Sequence, residues 1–217
     1  MAALAVRSEY GPSLARLLAP RWRTTPPRMR ALLGVAVALI LALVLAVVLT
    51  LLNAEYAHGG RVPFSFAYRG LYRVAPEPGG YVRVQRRDRA GALEDSFAVN
   101  PLVLPPYAGA LSGELPLYAT AFIKRVARRY PGFELRGEGK TKLTTTLFGY
   151  QIAYTARVEG HELYGRDVLL LPERTGARVG VDVAMLTTPG ENSEVPTPIE
   201  VGTAGILERP LKSFAFG

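Results

Sequence analysis

The 217-residue chain contains no cysteine. Disulfides, thiolate nucleophiles, cysteine-bound metals and an acylated lipoprotein anchor are therefore excluded. Histidine is scarce, with only His58 and His161, and the two are too far apart to share one helix face. A metal centre would have to be assembled from scattered carboxylates, so no metal and no cofactor are expected. Lysine is rare beside arginine, a compositional bias that carries no chemistry of its own. Acid is nearly missing from the first thirty residues, where Glu9 alone faces Arg7, Arg16, Arg21, Arg23, Arg28 and Arg30. Most of the formal net charge of +8 lies there. The basic excess thus reads as a topology signal, and no nucleic-acid partner is expected.

What the chain does have is one long apolar run. Ala31 to Leu52 carries no charge. As a helix it would extend about 33 Å, against a bilayer hydrocarbon core of about 30 Å. A cleaved signal peptide would have an apolar stretch of about 7–15 residues and a small-x-small cleavage site, and Asn53–Ala57 offers none. An uncleaved single transmembrane helix is the expectation. Arg61 is the only basic residue close behind it, so the positive-inside rule puts the N-terminus in the cytoplasm and residues 53–217 outside. The competing reading of residues 1–30, an organellar transit peptide, fits poorly with an anchor directly behind it. The expected organisation is a basic cytoplasmic tail over 1–30, a transmembrane helix over 31–52, a short linker over 53–61 and an extracytoplasmic domain over 62–217.

Within that domain the apolar period changes along the chain. Phe64, Phe66 and Tyr68 alternate before a break at Gly70, and Tyr81–Gln85 alternates again. A charged turn over 86–95 leads to a strand at Ser96–Val99, and the Pro- and Gly-rich stretch 100–113 reads as a loop. Leu115, Tyr118, Phe122 and Val126 recur at spacings of three and four, which predicts a helix over 114–130. Pro131-Gly132 ends it. Strands are expected over 133–143, 146–158, 162–171 and 178–186, the middle two forming a hairpin at Glu159-Gly160-His161. A last helix is expected near 199–213. The order reads as α+β: one N-terminal transmembrane helix, then an antiparallel β-sheet covered by helices.

Three stretches resemble the PsbP-like superfamily. Phe64-Ser65-Phe66-Ala67-Tyr68 is similar to its first strand. Gly149-Tyr150-Gln151-Ile152-Ala153-Tyr154 through Tyr164-Gly165-Arg166 is similar to its central hairpin. Ile206-Leu207 through Ser213-Phe214-Ala215-Phe216 is similar to its closing segment. The pattern departs where a Pro and a Trp often follow the first strand, since Arg69-Gly70-Leu71-Tyr72 stands here. The resemblance implies a non-catalytic binding or assembly module, and it carries over no functional residue.

Candidate chemistry is sparse. Gly137-Glu138-Gly139-Lys140-Thr141 lacks the earlier glycine of a phosphate loop, Glu134 standing in its place, and runs into β-branched residues; it reads as a turn or strand. His161 has no nucleophile beside it and reads as a turn residue. Glu94 and Asp95 are adjacent and would point to opposite strand faces, while Glu162 and Asp167 read as solvated hairpin residues. Lys124, Arg125, Arg128 and Arg129 crowd the end of the soluble helix. They form a candidate interaction surface for anionic lipid or an acidic partner, and helix-end stabilisation is the favoured explanation of the same residues. Tyr107, Tyr118, Tyr130, Tyr150 and Tyr154 read as core, with a pocket lining as the alternative. No catalytic constellation is expected. The sequence therefore points to a membrane-anchored binding or scaffolding domain with a protein partner in the envelope. The alternative is a receptor-like domain for a small apolar ligand.

Overall fold

A computed structural model describes residues 26–51, 53–105, 111–144, 147–172, 177–189 and 194–217. The chain divides into two compact units, 1–51 and 52–217. In the first, helix α1 runs over Pro27–Leu51. Its segment Pro27–Val47 is long and apolar enough to cross a membrane, and none of that segment is buried in the protein.

The second unit is α+β. Ten strands form two antiparallel sheets: β1 (Asn53–His58), β2 (Phe64–Arg69), β3 (Tyr72–Val74), β4 (Val82–Arg87), β5 (Leu93–Val103), β6 (Glu134–Lys142), β7 (Phe148–Val158), β8 (His161–Leu170), β9 (Val179–Thr187) and β10 (Ala215–Phe216). The large sheet has the order β3-β4-β5-β9-β8-β7-β6, and the small one β1-β2-β10. Helix α2 (Leu111–Arg129) lies between β5 and β6 in the chain, and a short helix α3 (Glu208–Lys212) precedes β10.

Both faces of the large sheet are covered. On one, Phe97, Val99, Val168, Val183 and Met185 pack with Phe64, Phe66 and Phe214 from the small sheet and the C-terminal segment. On the other, Ile152, Tyr154, Leu163 and Leu169 pack with Ala119, Phe122 and Val126 of α2. Most of β8 and β9 is therefore buried on both sides, and β9 reads as a nearly continuous apolar run broken by Asp182.

Several elements differ from the sequence expectation. Residues 53–58, expected within a linker, form β1 and pair with β2 from Asn53↔Arg69 to His58↔Phe64. Tyr56 is what makes it a strand, for its ring lies 5.9 and 5.6 Å from Phe64 and Phe66. Strand β5 runs on to Val103 instead of ending before Asn100. Pro101 is tolerated because β4 stops at Val82, opposite Val99. The Val99 carbonyl points to that side, where it accepts from the Tyr81 N–H. Pro101, two residues on, faces the same way beyond the end of β4, so its missing N–H costs no ladder bond there. The expected helix over 199–213 is broken into a 3-10 turn at Pro198–Glu200 and the five-residue α3. Gly202 and Gly205 between them take φ of 81° and 69°, which an α-helix does not allow.

Candidate functional site

The large sheet places its charged residues unevenly. Asp167 on β8 and Asp182 on β9 are 2% and 7% exposed. Asp167 pairs with Ala184 and Asp182 with Leu169, so the two acids sit diagonally on adjacent strands and share the face under α2. They line a cavity of about 310 Å³ between that face, α2 and the turn at 77–80.

Each wall has a local cause. At the turn, Gly79 takes φ of 86°, and the Gly80 N–H bonds the Glu77 carbonyl at 2.8 Å. A Cβ on Gly80 would lie 3.0 Å from Asn100 Oδ1, so glycine lets the turn close onto β5. The Tyr154 ring lies across Gly165, its cross-strand partner, where a side chain would collide with it. Tyr130 stacks on that ring at 6.0 Å. From α2, Tyr118 and Phe122 face the cavity, with the Arg125 guanidinium 5.8 and 5.7 Å from their ring centres. Arg129 pairs with Glu77 across the mouth.

The electrostatics follow from burial. Burial pushes the Asp167 carboxyl well above the usual carboxylate range, and the nearby Asp182 raises it further. Arg129 and the Tyr154 hydroxyl pull it partly back. Asp182 is pushed up to about 7, again by burial, against the opposing effects of Asn100, Arg129 and Arg125. Tyr130 is raised to about 12 by the same desolvation and Tyr154 also lies well above its ordinary value, so both phenols are neutral donors. Asn100 donates to Asp182 Oδ2 at 3.2 Å, and Oδ1 has no hydrogen-bond partner.

This arrangement corrects two sequence expectations. Asp167 was expected in solvent; it is buried because β8 is a central strand covered on both faces, whereas Glu162 near the hairpin is exposed as expected. Glu94 and Asp95 were expected to be separate. Arg86 meets both, at 2.9 and 2.7 Å. A bulge at Arg86/Arg87 and the long guanidinium fork bring one cation to two adjacent acids. Asp95 also accepts from the Thr187 hydroxyl at 2.7 Å.

The basic cluster divides. Arg128 Nε donates to the Lys124 carbonyl at 3.2 Å, one turn back along the helix, and Lys124 is exposed. Arg125 and Arg129 belong to the cavity mouth. Tyr118, Tyr130 and Tyr154 line the cavity, Tyr150 packs in the core beside it, and Tyr107 lies outside the described residues. The segment 137–141 is part of β6. His58 packs on Tyr81 and Phe64 at 4.5 and 5.0 Å, and exposed His161 opens β8 beside a groove of about 640 Å³ near Arg86 and Asp95. Among the described residues no group of three metal-ligating side chains comes together. Asn100 and Asp182 were missed by the sequence reading. The available signal was a single acid inside the otherwise apolar run Val179–Leu186, which burial on both faces forces into the interior.

No family model and no curated protein sequence matches the chain. Solved structures do. The fold is similar to that of LpqN of Mycobacterium tuberculosis, described as involved in cell envelope biogenesis, with a TM-score of 0.51 and 9% identity over 76% of this chain and 91% of that one. A putative regulator of unknown function from Pseudomonas aeruginosa, PA94, matches with a TM-score of 0.35 and 15% identity over 63% of this chain and 83% of that one. The first likeness shows a shared fold; the second is too distant to bear on it. Neither names the PsbP-like superfamily, so that resemblance remains a reading of the sequence.

Proposed function

We propose that the chain is a membrane-anchored extracytoplasmic binding module of the cell envelope, acting without catalysis. The join carries this reading: α1 ends at Leu51 and the first strand of the domain begins at Asn53. A helix long and apolar enough to span a membrane, followed in the chain by a separate folded domain, is the build of an anchored module. The arginines before α1 orient it with 53–217 outside. The fold shared with LpqN, a protein of envelope biogenesis, supports the same compartment.

The test uses native membranes. Full-length tagged protein should resist carbonate extraction, and protease added to right-side-out vesicles should remove 53–217 and spare α1. Mild crosslinking should then retain one near-stoichiometric envelope protein, lost when residues 60–217 are deleted. Cleavage only in inverted vesicles, or release by carbonate, would overturn the reading.

A further inference from the structure

The cavity under α2 contains an acceptor that its own neighbours do not satisfy. Asp182 Oδ1 is buried without a partner among the described residues, and the Asp182 side chain belongs to the wall of a space large enough for a small molecule. A buried acceptor in that state calls for a donor. The second carboxyl, Asp167, lies on the same face of the adjacent strand. Aromatic rings of Tyr118, Phe122 and Tyr154 stand around them. At the mouth is Arg125, which makes no carboxylate pair among the described residues and instead lies against two rings and the Tyr118 hydroxyl.

We propose that this cavity binds a small zwitterion, its primary ammonium group seated on Asp167 and Asp182 and its anionic group held by Arg125. The inference rests on the reading of the chain as a binding module and names what one of its sites takes. An ammonium brings three N–H donors and a positive charge to two buried acids, and the faces of the rings accept the same cation. A plain cation would have to pass Arg125 and Arg129; a plain anion would meet the two acids. Only a molecule with both charges complements floor and mouth together. At about 310 Å³ the cavity holds something of amino-acid or phosphoethanolamine size.

The charged and titratable groups facing the site are Asp167, Asp182, Arg125, Arg129, Glu77, the Tyr118 hydroxyl and the two neutral phenols Tyr130 and Tyr154. Because burial raises both carboxyls, an incoming ammonium displaces a proton from the acid pair. Affinity should therefore rise between pH 6 and pH 8.

The experiment is isothermal titration calorimetry on the full chain in detergent. The probes are O-phosphoethanolamine, β-alanine, ethanolamine and inorganic phosphate. At least one of the two zwitterions should bind at least tenfold more tightly than either ethanolamine or phosphate. Asp182→Asn should weaken it at least tenfold, and Arg125→Gln should bring it down to the level of ethanolamine. Repeating the titration in nanodiscs separates two sources of the same chemistry. Lost probe affinity in discs containing phosphatidylethanolamine assigns the site to a lipid headgroup; unchanged affinity assigns it to a free zwitterion. The proposal is overturned if neither zwitterion outbinds ethanolamine and phosphate, or if Asp182→Asn, folded by its melting curve, binds as the parent does. Protease accessibility of the domain does not depend on Asp182, so such a failure would leave the anchored-module reading standing.

Discussion

Asn100 and Asp182 are direct partners across the β5–β9 pairing, and the amide reaches one carboxyl oxygen at 3.2 Å while the other is left without a partner. The neighbouring strand thus satisfies half of a buried acid. The remaining half must hold a proton, meet a ligand or stay unpaid in free energy, and each alternative has a measurable consequence.

Stability should fall as pH rises from about 4 to about 7. The Asp182 carboxyl titrates near 7 in the folded chain and near 3.8 when unfolded, so between those values the folded state holds a proton that the unfolded state has lost. Asp167 is shifted in the same direction and adds to the slope. Asp182→Asn removes this ionisable group, leaves the slope to Asp167 and raises stability at pH 8. Thermal melts of the full chain in detergent at pH 4.5, 6 and 8 would show it. A melting temperature that climbs with pH over this range would contradict the assignment.

Gly165→Ala should be strongly destabilising, because the added Cβ would lie 2.2 Å from the Tyr154 ring and 2.4 Å from its next carbon. Tyr154 is 1% exposed, with Tyr130 stacked on its ring at 6.0 Å and Phe133 tilted against it at 5.1 Å, so moving the ring would break both contacts. Overpacking of this kind costs about 1–3 kcal/mol or more. The clash predicts its own rescue: in a Tyr154→Leu background the alanine should cost less than it does alone. Double-mutant thermal unfolding checks this, and equal costs in both backgrounds would refute it.

Much of the architecture was legible from period alone. The α2 stripe of Leu115, Tyr118, Phe122 and Val126 gave the helix within a few residues, and the alternation of Tyr150, Ile152 and Tyr154 gave β7 and its hairpin with β8. Prolines and glycines marked the failures. Pro101 suggested a loop, yet it sits past the end of β4, a fact of register that no local pattern contains. The 199–213 segment carried helical spacing, but Gly202 and Gly205 adopt left-handed backbone. The cavity was the least legible part. Its tyrosines were visible, but Asp167 read as surface and Asp182 was passed over, because burial on both faces depends on which strands end up central. An acid isolated within Val179–Leu186 was the clue.

Arg86→Met should destabilise the fold by about 1–3 kcal/mol, since it strips a buried acceptor of its charged partner. Asp95 has a side chain only 4% exposed, and after the change it keeps only the Thr187 hydroxyl. Arg86 itself is 41% exposed, which screens the pair and holds the cost to this range. Adding Asp95→Asn should recover part of the loss by removing the stranded charge. Equal stability for Arg86→Met and the parent would mean that solvent compensates Asp95 fully.

The last prediction concerns where the domain begins. β1 pairs with β2 along its whole length, and Tyr56 covers Phe64 and Phe66 while Arg73 lies 5.0 Å above its ring. On its other side β2 has only the two-residue β10. A chain starting at residue 60 would therefore expose one edge of β2 and uncover two core phenylalanines that are 2% and 1% exposed. A domain of this size loses about 2–4 °C of melting temperature per kcal/mol, and burying one large aromatic contributes about 1.5–3 kcal/mol. A chain starting at 53 should then melt roughly 5–10 °C above one starting at 60, and Tyr56→Ala should account for most of the gap. Equal melting temperatures would return residues 53–61 to the role of a joint. A clear gap would make β1 part of the folded unit.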